Sequence, residues 1–145
     1  MKGTLQNDYI PVNKYSLKVI GLIDLTVLKM SGLEEEIETV NLPDRTMVSA
    51  GYRKPTEFTM EVPAHHAAEQ AALELWYRES QDPVSPTYKK PCTLIMDSRS
   101  GENGRSFTLS NVWPKKRKMP DLDMANDGDL ATIEWTMSVD DIIPI

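Results

Sequence analysis

The side chains best suited to chemistry are few, and none is arranged to perform it. His65 and His66 are adjacent, so on a helix they point about 100° apart and cannot share one metal ion. His65 and Glu69 stand four apart but lack the rest of a zinc-protease pattern. These histidines read as solvated residues of a first helical turn. Cys92 follows Pro91 beside a β-prone run and reads as a small buried hydrophobe rather than a nucleophile. The sequence holds no Gly-x-Ser-x-Gly elbow, no phosphate-binding glycine loop and no Cys-x-x-Cys. The nearest approach to a motif is calcium-like. With Asp123 as the first position, Asp127, Gly128, Asp129 and Glu134 fall where a calcium loop places its fifth, sixth, seventh and twelfth residues. Ala125, at the third, cannot ligate, and an alternating strand follows instead of a helix, so the stretch reads as an oxygen-rich turn. Trp76, Trp113 and Trp135 could stack on a sugar, but two of them fall at core-facing positions. With 22 acidic residues, neighbouring carboxylates arise by chance. The expectation is a protein without catalytic residues, metal site or cofactor.

The elements that would position such residues are mostly strands. Phe58, Met60 and Val62 alternate with Glu57, Thr59 and Glu61; Ile133, Trp135, Met137 and Val139 alternate with Thr132, Glu134, Thr136 and Ser138. Each is a half-buried strand with one wet face. Tyr15–Val19 alternates likewise, Leu25–Met30 is β-prone, and Thr93–Met96 and Ser106–Leu109 flank an Asn103-Gly104 hairpin signal that favours positive φ. Glu34–Leu42 reads as an acidic strand, with a helix as the local alternative. Residues 43–55 form a long exposed loop or an extended hairpin tip. After Pro63, residues 64–79 carry a helical stripe of Ala68, Ala71, Ala72, Leu75 and Trp76, whose small alanines would let the helix lie close against a sheet. The pattern predicts one helix on an antiparallel sheet or barrel of about six to eight strands. All 145 residues make one domain, with residues 1–14 as an N-terminal arm.

Charge is placed unevenly. The chain has 16 basic and 22 acidic residues, a net charge of −6, which disfavours a dedicated nucleic-acid binder. From Met119 onward there are seven acids and no Lys or Arg, so the rest carries 16 against 15. Immediately before lies Lys115-Lys116-Arg117-Lys118, and Glu34, Glu35, Glu36 and Glu38 form a second acidic block. Such patches are solvated faces or complementary surfaces between copies. One cysteine excludes an internal disulfide, the apolar runs are too short to insert in a membrane, and the first residues lack a signal peptide's apolar region. A soluble protein made in a cytoplasm is expected.

Taken in order, these features resemble a known family. A strand runs into Ser31-Gly32-Leu33-Glu34 and an acidic strand; a long loop precedes Thr56-Glu57-Phe58-Thr59-Met60; an Ala-rich helix ends in Leu75-Trp76; Asn111-Val112-Trp113-Pro114 precedes an Asp-rich stretch and a final alternating strand. From about Tyr15 to Asp141 the chain resembles the tail tube proteins of contractile-tailed bacteriophages, which are similar to the inner tubes of R-type bacteriocins and type VI secretion systems. The resemblance implies a mainly β subunit with one α-helix, an antiparallel β-sandwich or barrel that assembles into hexameric rings forming a continuous tube β-barrel. It implies a virion tail protein assembled in the host cytoplasm, with sheath, baseplate and tail-terminator partners and transient, non-specific passage of double-stranded DNA.

The residues bear on that implication independently. Exposed strand edges are satisfied when identical subunits pair them around a ring. Six subunits giving four strands each make about 24 strands at ~4.8 Å spacing and ~40–45° tilt, hence a circumference of roughly 150–165 Å and a bore of about 40 Å. A duplex slides best past carboxylates, because each neutralised phosphate would tighten binding. The expected lining is therefore Glu34, Glu36, Glu38, Glu57, Glu61 and Glu134. The expected subunit or sheath contacts are Arg45, Arg53 and Lys54 in the loop, and Lys115, Lys116, Arg117 and Lys118 with Asp121, Asp123, Asp127 and Asp129 as a charge pair. Alternatives are the tube of a DNA-free injection or secretion system and a monomeric carbohydrate-binding β-sandwich.

Overall fold

The computed structural model describes residues 9–85, 87–101, 104–125 and 128–145. Nine strands and one helix follow in the order β1 (Tyr15–Val19), β2 (Lys29–Ser31), β3 (Ile37–Asn41), β4 (Met47–Arg53), β5 (Thr56–Pro63), α1 (Ala67–Glu79), β6 (Lys90–Met96), β7 (Arg105–Lys118), β8 (Thr132–Val139) and β9 (Asp141–Pro144) among the described residues. Seven strands form one antiparallel sheet in the order β1-β6-β7-β8-β5-β2, with β9 joined to β7; β3 and β4 pair only with each other.

The sheet folds over on itself because β7 serves both halves. Its residues 105–112 pair with β6 and, through Phe107–Ser110, with β9. Residues 113–118 pair instead with β8. The change of partner coincides with a positive φ of 52° at Asn111 and a bulge between Pro114 and Lys116. Bulges of this kind let one strand turn a corner between two sheets. Between the halves lies the core. Phe58, Met60 and Val62 of β5 and Trp135, Met137 and Val139 of β8 meet Leu17, Val19, Cys92, Leu94, Leu109 and Val112. The period-two pattern thus assigns the core face of β5 and β8 correctly.

The helix departs from its sequence reading. Strand β5 runs through Pro63, which lies opposite Thr132, and Ala64 N–H bonds Ala131 O at 3.0 Å, so the helix starts only at Ala67. Its buried residues are Glu69, Leu73 and Trp76, while Ala68 and Ala71 are exposed and Leu75 is 69% exposed. The apolar stripe was therefore placed one residue off, about 100° around the helix. Polar anchoring overrides the alanine pattern. Trp135 Nε1 donates to Gln70 Oε1 at 3.2 Å, and Gln70 Nε2 donates to Val62 O and Pro63 O, both at 3.1 Å. Trp76 Nε1 donates to Tyr88 O at 2.6 Å. Each buried indole thus has a partner for its polar end.

One turn differs from expectation, and for residues 43–55 the hairpin reading holds over the loop. The β6–β7 connection has its positive φ at Gly101 (83°), not Gly104; Asn103 lies outside the described residues. Gly104 is required for another reason, since a Cβ there would meet Met96 O at 2.5 Å. Residues 43–55 contain a strand, β4, so the segment is a hairpin closing at 42–46 through Leu42 N–H to Thr46 O at 2.8 Å. Only Lys29 and Met30 of the β-prone 25–30 region enter a strand, and Glu34–Glu36 precede β3 without regular structure, so neither reading of Glu34–Leu42 holds over its full length.

Candidate functional site

The outer face of the β2-β5-β8 half-sheet is polar up to Pro63 at the end of β5. Across β5 and β8, Glu57 lies opposite Ser138, Thr59 opposite Thr136 and Glu61 opposite Glu134. Thr59 and Thr136 hydroxyls approach to 3.4 Å, and Thr132 Oγ1 donates to Glu61 Oε1 at 3.5 Å. On the flank, Lys29 and Ser31 of β2 lie opposite Glu61 and Thr59.

The basic run joins this face rather than standing apart from it. Lys116 lies opposite Thr136 and Lys118 opposite Glu134, so both share the side of Glu61 and Thr59. Lys118 Nζ lies 3.7 Å from Glu134, and Lys115, displaced by the bulge, lies 2.5 Å from Glu57. Arg117 lies opposite Trp135, which sends it to the other side. There it pairs with Glu74 of α1 and lies over the Tyr77 and Trp135 rings at 5.7 and 5.8 Å. A strand sends neighbouring side chains to opposite faces, so four consecutive cations do not act as one patch. Lys115 pairs with Glu57, Arg117 with Glu74 and Lys118 with Glu134. Asp121, Asp123 and Asp129 instead line a cavity of about 410 Å³ beside Glu61, Lys118 and Glu134. Asp127 lies outside the described residues.

The expected lining residues thus fall into two groups. Glu57, Glu61 and Glu134 share one face; Glu34, Glu36 and Glu38 lie at the root of the hairpin. Glu36 pairs with Lys54 at 3.1 Å, and Arg53 pairs with Glu35 at 2.9 Å and with Asp141. These carboxylates raise the Arg53 and Lys54 pKa values, chiefly by accepting their hydrogen bonds. Arg45 sits in the hairpin turn with a positive φ of 70°.

The side chains weighed for chemistry have structural surroundings. Cys92 is buried, and desolvation pushes its thiol up to about 12, which keeps it protonated and unreactive. His66 precedes the helix, and its Nδ1 contacts the Glu69 carboxylate. The other Glu69 oxygen accepts the Thr26 N–H. Glu69, 8% exposed, therefore ties the segment leading to β2 onto α1. Sequence reading weighed Glu69 only beside His65 and missed this tying role; its place on the same helical side as Leu73 and Trp76 was the available signal. Among the described residues no group of three or more His, Cys, Asp or Glu could hold a metal ion. The oxygen-rich turn instead uses Asp123 Oδ1 to accept Ala125 N–H at 2.9 Å.

Residues 11–142 match the model of the T4-like virus tail tube protein gp19. The chain belongs to that family. A tail tube protein is a structural component, and the strand order described above is the tube fold. The tube structure of a PVC extracellular contractile injection system, solved as a sheath-tube complex in the extended state, is similar with a TM-score of 0.77 at 21% identity, covering 100% of this chain and 99% of that one. The sheath/tube terminator structure of the same system gives 0.74 at 21% identity over 94% and 96%. Hcp1 from Flavobacterium johnsoniae gives 0.58 at 17% identity over 91% and 99%. Comparison with curated protein sequences gives no match.

Proposed function

We propose that this tail tube protein polymerises as hexameric rings stacked into a hollow tube, with the polar face of β2, β5, β8 and residues 113–118 of β7 lining the bore. The observation that carries this reading is a polar sheet face bounded by two free strand edges. Strand β2 ends the strand order, and residues 113–118 have only β8 as a partner among the described residues. Four strands per copy, with one open edge on each side, are what rotational pairing into a closed barrel requires. Glu57, Glu61 and Glu134 then face the lumen. Glu34, Glu36 and Glu38, with Arg45, Arg53 and Lys54, belong to the hairpin contact between subunits or with the sheath. Lys115, Lys116 and Lys118 move from the contact set to the bore wall, and Arg117 to the packing beneath it. Asp121, Asp123 and Asp129 lie on the loop at one end of the wall. Sheath, terminator and baseplate partners accord with the similar structures solved in sheath-tube, terminator and baseplate assemblies.

For cargo, double-stranded DNA in a phage virion tail, assembled in the host cytoplasm, is the first reading. A second, a DNA-free injection tube, is favoured by one observation: Lys29, Lys115, Lys116 and Lys118 are interleaved with the three carboxylates. A balanced wall repels phosphate less than a carboxylate wall does.

Selective labelling tests the bore. Thr136→Cys in assembled tubes should react with a small maleimide yet resist a maleimide on a large polymer, while Leu75→Cys on α1 reacts with both. Equal reaction of Thr136→Cys with both reagents in intact tubes removes this face from the lumen.

A further inference from the structure

Two lysines of the polar sheet face are left without an ion-pair partner among the described residues, and they stand at its two open edges. Across the four strands the side chains fall into rows. One row reads Lys118, Glu134, Glu61 and Lys29, each opposite the next. There Lys118 is held by Glu134 at 3.7 Å, while Glu61 accepts the Thr132 hydroxyl. The neighbouring row reads Lys116, Thr136, Thr59 and Ser31, one cation among hydroxyls. Lys115 is taken by Glu57, which leaves Lys29 and Lys116, both exposed. Four lysines against Glu57, Glu61 and Glu134 leave one positive charge on the strands of this face in each copy.

Ring closure concentrates that excess at the junction between copies. The four strands alternate in direction, so β2 of one copy meets residues 113–118 of β7 in the next as a further antiparallel pair. Polar faces coincide across such a pair only when Lys29 comes opposite Lys116 or Lys118 of the neighbour. In the first register Lys29 and Lys116 are direct neighbours, with Cβ atoms about 5 Å apart; in the second they are diagonal, at roughly 7–8 Å. Like charges so placed oppose strand pairing.

We propose that each junction holds one oxyanion of the phosphate class, bridging Lys29 of one copy and Lys116 of the next. This inference rests on the tube reading and adds a ligand to its bore. An ammonium group carries donors and no acceptor, so two that face each other are satisfied together only by a shared acceptor. A phosphate presents several charged oxygens, and its charge-assisted hydrogen bonds turn the repulsion into a bridge. Ser31, on the same face as Lys29, adds a hydroxyl donor. Neither edge makes the site alone, because each copy supplies one lysine to either side. Free phosphate and the phosphates of a passing duplex share this chemistry.

The test assembles the wild-type chain at constant ionic strength and neutral pH, in chloride or in inorganic phosphate, and reads the sedimenting fraction against protein concentration. Phosphate should bring half-assembly to a roughly tenfold lower concentration. Lys116→Glu supplies the negative charge covalently to Lys29 of the neighbour. It should assemble in chloride as readily as wild type does in phosphate, and ignore added phosphate. Lys29→Gln should also lose the response, and it decides the matter if Lys116→Glu does not fold. Lys18→Gln, on β1 in the other half of the sheet, should keep it. An equal phosphate gain in Lys29→Gln marks general salting-out and overturns the site, as does wild-type assembly indifferent to phosphate; tubes form in both cases and the tube reading stands. A wild-type chain that stays monomeric in every buffer overturns both. A fluorescent short duplex added to wild-type tubes in chloride separates the two sources. A rise in anisotropy that phosphate reverses seats DNA phosphates in the site, and no rise assigns it to the free ion.

Discussion

The folded body and the β3–β4 hairpin are built from one chain by opposite rules. In β5 and β8 every second residue is buried, and the wet face is filled by threonines and paired charges. In β3 and β4 nearly every residue is exposed, including Val40, Met47 and Tyr52. The body thus satisfies its apolar side by itself, whereas the hairpin satisfies its own only in company. On the proposed tube reading, stability resides in the first region, and the second adds a contact between copies to the pairing of the body's free strand edges.

Substitutions can break that division. The largest effect should come from Trp135→Ala, which empties a site 1% exposed and removes the donor to Gln70 Oε1; about 3–5 kcal/mol should be lost, read from denaturant midpoints. An unchanged midpoint would show that the body is not self-sufficient. Glu69→Ala leaves the Thr26 N–H without its acceptor and should cost about 1–3 kcal/mol by the same measurement.

Alkaline titration sharpens the picture of the core. The Cys92 thiol is raised from 9.0 to about 12 by burial. Above pH 9 the unfolded chain releases this proton while the folded chain keeps it. Stability should therefore fall as pH rises from about 9 towards about 12, by about 1.4 kcal/mol per pH unit. Cys92→Ala should lack that slope relative to wild type. The smallest effect on stability is expected in the hairpin. Val48→Ser should shift the unfolding midpoint by less than about 0.5 kcal/mol while it reduces the yield of assembled particles, seen by sedimentation. A large loss of monomer stability would erase the contrast between the two regions.

The division also explains what the sequence disclosed. Strands β1, β5 and β8 were legible because one buried face imposes a period of two on consecutive residues. Strand β9 was missed, since four residues ending near Pro144 are too short to show a period. The helix was found but rotated, because Ala68, Ala71 and Leu75 mimic a core stripe while Gln70 and Glu69 fix the true orientation through hydrogen bonds. The charge run misled for a related reason. Read as a string, Lys115 to Lys118 is one basic patch; on a bulged strand Arg117 goes to the helix and the lysines to the carboxylates. The hairpin was legible only as one of two readings of residues 43–55, because a ribbon without a core has no burial pattern to read.

Salt links charge to assembly. Exposed charges of the hairpin, if they pair between copies as proposed, are screened by added ions, so the association of rings into tubes should weaken as ionic strength rises.

Electron microscopy of the purified protein at high concentration tests the central claim most directly. Rings with sixfold symmetry, or stacked tubes with a bore of about 40 Å from a barrel of about 24 tilted strands, are the predicted result. A solitary particle of 16.4 kDa at every concentration would contradict it.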